Sequence, residues 1–150
     1  MIVRLISILI ILVSTKLYAS DNPVQKDSVQ VNETVVMIRA VSKDTPGPLL
    51  VYLYNAKDNW LKVEQAYRKA VLKNQAKAEY RWVLKDLPAG EYAVQVVHDE
   101  DKNGSLTMGL FGPSESVGVS KYVPSFIPRF DKAKFKHNGQ GTVVSVEMND

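Results

Sequence analysis

The sequence predicts an all-β chain: a single antiparallel β-sandwich of about seven short strands. Three observations carry this. Runs rich in β-branched and aromatic residues recur, among them residues 34–41, 49–54 and 142–148. Segments dense in Gly, Pro, Asn and Asp separate the runs, as at 42–48, 85–90 and 99–104. Tyr80, Trp82 and Leu84 alternate with Glu79, Arg81 and Val83, the pattern of a strand with one face on a core.

Taken in order, residues 34–41 (TVVMIRAV) form a first strand, ended by the turn-rich SKDTPGP at 42–48. LLVYLY at 49–54 is a second, and two apolar runs joined by a Pro-Gly turn predict a hairpin. Residues 59–78 are ambiguous. Trp60, Val63, Tyr67 and Val71 recur at helical spacing among good helix formers, so pattern alone favours a helix. After the strand at 79–84, KDLPAGEY turns the chain. Tyr92, Val94 and Val96 then share one face of a strand that delivers His98 to an acidic loop. Residues 105–134 are interrupted by Gly and Pro and keep no period, and so long an irregular stretch in a compact domain is commonly functional. Residues 142–148 close the domain, with Val144, Val146 and Met148 on one face.

Residues 1–19 have the three parts of a secretory signal peptide: basic Arg4, an apolar core at 5–13 and a small exit residue, Ala19. The apolar run falls short of the roughly 20 residues that span a bilayer. The expectation is cleavage after Ala19, a polar leader at 20–31, a domain at 32–150, and a periplasmic or secreted product that is not an integral membrane protein. Removing Arg4 and Lys16 leaves 17 of the 19 basic residues against 16 acids, a net charge of +1 that gives nucleic acid no purchase. With no cysteine, an exported chain relies on core packing, and thiol catalysis and cysteine zinc sites are excluded.

LPAGEYAVQVVHDEDKNGSL, residues 87–106, resembles the central signature of a bacterial family catalogued as domain of unknown function 2141. Leu87, Pro88, Gly90, Tyr92, Ala93, His98, Asp99, Asn103, Gly104 and Leu106 carry the pattern. Gly112, Pro113, Glu115, Gly118 and Ser120 resemble its downstream segment, and Phe130, Ala133 and Phe135 a later element, so the likeness covers about residues 34–148. The resemblance implies an exported single domain with a transthyretin-like or immunoglobulin-like sandwich, and it points to no particular activity, since none is established for the family. It also implies that residues 59–78 hold a helical turn near 59–65 and a short strand near 67–73 instead of one helix.

HDEDKNGSL at 98–106 raises the one sharp chemical question. Calcium takes six to eight oxygen ligands, and a short loop supplies them when alternate side chains point inward and a glycine permits a sharp turn. With Asp99 at position 1, Asp101 falls at 3, Asn103 at 5, Gly104 at 6, the Ser105 carbonyl at 7 and Thr107 at 9. That is half of an EF-hand-type loop. Position 12 departs from it, with Leu110 where a bidentate Glu belongs, and Glu115 is the residue that would have to fold back. The competing reading is a hairpin turn, since Asn-Gly is the preferred type I′ dipeptide. Calcium, if bound, would be structural.

His98 beside these acids reads as a strand-end residue that fixes the loop, more readily than as a ligand or base. The sequence around Ser114 and Ser116 does not satisfy Gly-x-Ser-x-Gly, and no Ser-x-x-Lys occurs in the domain. Phe111, Tyr122, Phe126 and Phe130 are candidates for a ligand-binding face, against the alternative that they cover the core. Lys121, Arg129, Lys132, Lys134 and Lys136 give the same region a basic cast, read here as a solvated face. The functional expectation is a non-catalytic binding or accessory module of the cell envelope, acting on an unidentified envelope ligand or protein. A transthyretin-like hydrolase and a purely structural envelope protein are the alternatives.

Overall fold

The strands that alternation predicts do form, and they join one curled, mixed sheet. A computed structural model describes residues 32–124 and 126–149. The expected signal peptide and leader lie outside the described residues. The elements are β1 (Glu33–Arg39), β2 (Leu49–Tyr54), β3 (Arg68–Leu72), β4 (Glu79–Lys85), β5 (Gly90–His98), β6 (Met108–Gly109), β7 (Gly112–Pro113), β8 (Val117–Ser120), a helical turn α1 (Phe130–Ala133), β9 (Phe135–His137) and β10 (Thr142–Asn149). The sheet runs β3-β2-β5-β8-β10-β1-β4 and curls into a half-barrel, with β9 on β5 and β6–β7 a separate hairpin. β1 and β10 are parallel, Thr34 beside Thr142 through Arg39 beside Glu147, so the sheet is not purely antiparallel.

Nor do the first two strands make the expected hairpin. β1 pairs with β10 and β4, and β2 with β3 and β5. The Pro-Gly segment between them does turn the chain, but it crosses to the other half of the sheet and packs on the end of β5, where the Asp99 N–H donates to the Pro48 carbonyl at 2.9 Å. A turn dipeptide reports local backbone and not the partner of the next strand.

Curling gives the sheet two buried surfaces. Inside, Val36 and Ile38 of β1, Leu84 of β4 and Val144, Val146 and Met148 of β10 meet Leu49, Val51 and Leu53 of β2 and Tyr92, Val94 and Val96 of β5. Outside, Leu50, Tyr52 and Tyr54 of β2, Ala93 and Val97 of β5 and Val117 and Val119 of β8 are covered by Trp60, Val63, Ala66, Tyr122, Phe130 and Ala133. β2 is therefore buried on both faces along its whole length, which explains the unbroken LLVYLY. β10, with Val143 exposed and Ser145 and Glu147 less buried than Val144, Val146 and Met148, keeps the alternation of a half-buried strand.

The helical spacing at 59–78 has a different cause. Two short 3₁₀ turns, Lys57–Asn59 and Val63–Gln65, precede β3. Leu61 between them has φ of +62°, which no right-handed helix accommodates. The apolar residues serve opposite faces: Trp60 and Val63 join the outer cluster, while the Tyr67 ring lies 5.9 Å from Tyr92. Arg68 then closes the open side of the half-barrel, donating from Nη1 to the Lys85 carbonyl at 2.8 Å and from Nη2 to that of Asp86 at 3.2 Å.

Tyr54 ties the outer cluster together. Its hydroxyl donates to Gln95 Oε1 at 3.1 Å, and its ring meets Trp60 edge-on at 5.1 Å. Burial pushes this phenol well above its ordinary value, and Tyr52 and Tyr92 move the same way for the same reason. The unfolded chain therefore releases these protons first. Stability is expected to be full below about pH 10 and to fall above it, by up to about 1.4 kcal/mol per pH unit for each such tyrosine. Alkaline unfolding followed by circular dichroism should be shallower in Tyr54→Phe; an unchanged slope would show that Tyr54 is not the responsible group.

Candidate cation site at the end of β5

Because β5 is buried on both faces, its end carries His98 and Asp99 inside, with Asp99 only 2% exposed. The chain then reverses through a set of side-chain-capped turns. Asp101 Oδ1 accepts the Asn103 N–H at 3.0 Å, and Asn103 Oδ1 accepts the Ser105 N–H at 2.7 Å and its hydroxyl at 2.8 Å. Such local bonds are the ordinary business of Asp and Asn in turns. Gly104 sits at φ of +80° with its N–H donating to Asp99 Oδ2 at 3.0 Å. Thr107 Oγ1 and Asn103 Nδ2 donate to Asp101 Oδ2 at 2.9 and 2.8 Å. The Asn103 N–H, aided by the Thr107 hydroxyl, holds the Asp101 carboxyl below the usual carboxylate range.

Glu115 folds back from beyond the β6–β7 hairpin and is itself buried. Its Oε1 accepts the Glu100 N–H at 3.0 Å and its Oε2 the Thr107 N–H at 2.9 Å, so it spans the loop. One carboxylate oxygen each from Asp99, Asp101 and Glu115 lies within 4.8 Å of the others. Among the described residues none of the three makes an ion pair, and the buried Asp99 Oδ1 has no hydrogen-bond partner. Carboxylate oxygens that accept an amide proton keep a second lone pair, so this trio can still ligate a hard cation.

Of the six residues the loop spacing singles out, the structure converges three carboxylates and gives the rest a bracing position. Asn103 and Thr107 turn toward Asp101, and the Ser105 hydroxyl toward Asn103. Spacing alone misses Glu100, whose Oε1 accepts the Ser116 N–H and hydroxyl at 3.2 Å and ties the loop to the start of β8. Its only signal is its place between Asp99 and Asp101.

The other candidates separate. His98 does not fix the acidic loop: its Nε2 meets Asn74 Nδ2 at 3.2 Å, and Asn74 also donates to the Thr45 carbonyl. His137 pairs across from Gly90 at the opposite end of β5, bonded to Thr34 Oγ1 at 3.0 Å, and both rings are fully buried. The four aromatics form no common face. Phe111 is fully exposed with Leu110 at the β6–β7 tip, before β8; Phe126 is 84% exposed, after β8. Tyr122 is half-buried against the outer cluster. Phe130 is a core residue, 7% exposed and edge-on to Trp60 at 5.9 Å, so it lines no surface.

A family model described as "Uncharacterized protein conserved in bacteria (DUF2141)" matches residues 36–145. No curated protein and no solved structure matches the chain.

Proposed function

We propose a function for this chain, which belongs to the DUF2141 family of uncharacterized bacterial proteins, as an exported, non-catalytic binding or accessory module of the cell envelope whose 99–115 loop is held by a divalent cation of the calcium class. One observation supports the cation: Asp99 is buried with an unpartnered oxygen, and its carboxylate converges with those of Asp101 and Glu115. A buried anion beside two others is costly unless a positive charge joins them. An all-oxygen set suits calcium, and so few carboxylates point to a dissociation constant on the order of 10⁻⁴–10⁻³ M, as in extracellular modules. The cation's role is structural. It would fasten the end of β5 to the start of β8 and so hold out the hairpin that carries Leu110 and Phe111.

Within this reading the curled sheet is sandwich-like, with β1, β4 and β10 facing β2 and β5 across the inner cluster. A transthyretin-like hydrolase would need its histidines in one cleft, whereas His98 and His137 stand buried at opposite ends of β5. The test is thermal unfolding in chelator and then in calcium or magnesium. At ten times the dissociation constant calcium should add about 1.4 kcal/mol, or about 5 °C. Asp99→Asn/Asp101→Asn should abolish the rise. An unmoved midpoint in the parent chain would return the loop to a hairpin turn.

A further inference from the structure

The cation loop lies at one end of β8, and a surface of opposite character lies at the other. Residues 121–136 leave the C-terminal end of β8, which is antiparallel to β5, and return as β9 on the first residues of β5. The segment therefore gathers at the N-terminal end of β5, away from Asp99. It carries Lys121, Arg129, Lys132, Lys134 and Lys136 against a single acid, Asp131. Asp131 is already engaged by Lys57 at 3.2 Å and Lys134 by Glu91 at 2.9 Å. Arg129, Lys132 and Lys136 are exposed and make no ion pair among the described residues.

Between the flanks of this segment, Phe126 and Ile127 stand 84% and 70% exposed. They are held out by a braced loop. Tyr122 Oη accepts the Arg129 N–H at 2.7 Å, Trp60 Nε1 donates to the Pro128 carbonyl at 2.9 Å, and Pro124 and Phe130 are buried on either side. The neighbours that turn inward leave these two side chains with nothing to cover them. Adjacent exposed apolar residues in a segment this rich in exposed cations mark an interaction surface.

We propose that this face docks the protein on an anionic phospholipid bilayer, Phe126 and Ile127 entering the interface while Arg129, Lys132 and Lys136 lie among the headgroups. The inference goes beyond the cation reading and does not depend on it. Charge complementarity selects the anionic surface, since each basic residue near such a leaflet adds to the attraction. The apolar pair selects lipid over a soluble polyanion, which would leave both side chains in water. A symmetric contact with a second copy would bring the unpaired cations of both chains together, a repulsive arrangement.

The test is co-sedimentation of the chain from residue 20 with vesicles of phosphatidylcholine alone or containing phosphatidylglycerol, at low and high salt. Starting there removes the apolar segment at 5–13 and keeps both core clusters of the described residues, which lie within residues 36–148. Binding is expected only with phosphatidylglycerol, weakening with salt. Arg129→Gln/Lys132→Gln/Lys136→Gln should weaken it about a hundredfold, and Phe126→Ser/Ile127→Ser at least about tenfold. These positions are exposed, so the thermal midpoints should not move. Equal binding to both vesicle types, or none to either, overturns the proposal. So does binding that survives the Phe126→Ser/Ile127→Ser change, which would assign the face to headgroup-like anions alone. A calcium response in the midpoint without vesicle binding would leave the cation loop standing and remove only the lipid.

Discussion

A Gly47→Ala chain is expected to unfold about 10 °C below its parent and, on the proposed cation reading, to lose the calcium-dependent rise in its midpoint in the same step. Gly47 has φ of +123°, a region closed to side chains, and a Cβ built there would overlap the Asp99 carbonyl oxygen and lie 2.8 Å from its carbon. The obstacle is backbone on backbone, so no rotamer relieves it. Forcing the turn away from β5 combines positive-φ strain with overpacking, together about 3 kcal/mol. For a domain of this size that corresponds to the stated shift. The same displacement moves Asp99 out of register with Asp101 and Glu115. Gly104→Ala supplies the control: its φ of +80° is also positive, but its Cβ would meet nothing within 4 Å. It should cost only about 1 kcal/mol. Equal losses in the two variants would mean that the 42–48 turn does not rest on the end of β5.

Trp60→Ala should cost about 3 kcal/mol in chemical denaturation, near the low end for deleting a large aromatic because the residue is only partly buried. Its ring stands edge-on to both Tyr54 and Phe130, and its N–H is a bond to the Pro128 carbonyl. Removing it breaks a column running from β2 through the 3₁₀ turns to α1 and frees one of the two braces behind Phe126 and Ile127. Trp60→Phe keeps most of the ring contact and loses the hydrogen bond, for about 1 kcal/mol. A Trp60→Ala loss no larger than that of Trp60→Phe would show that the column contributes little.

Where one face of a strand meets a core and the other meets water, composition alone is enough. Val144, Val146 and Met148 are buried as their alternation predicts, as are Tyr80 and Leu84. Legibility ends where a residue's partner is set from far along the chain. β1 lies beside β10, more than a hundred residues away, and no local pattern encodes that parallel register. Trp60, Val63 and Tyr67 mislead because a helical period arises from residues that point to two different layers. At the site, the acidic spacing locates the loop, since Asp, Asn and Gly have intrinsic turn preferences. The return of Glu115 and the inward position of Asp99 depend on β8 and on the double burial of β5, which are tertiary facts.

The parallel pairing of β1 with β10 also dictates when the protein can be finished. A chain that emerges N-terminus first from a ribosome offers β4 to β1 early. The other flank of β1 must wait until Thr142 to Asn149 have appeared. Until then β8 also lacks one of its two neighbours, and the inner cluster lacks Val144, Val146 and Met148. Contacts of such high sequence separation slow the final step and favour an open chain before it. Completion is coupled to the arrival of β10, so the half-barrel stays open until that last strand is available.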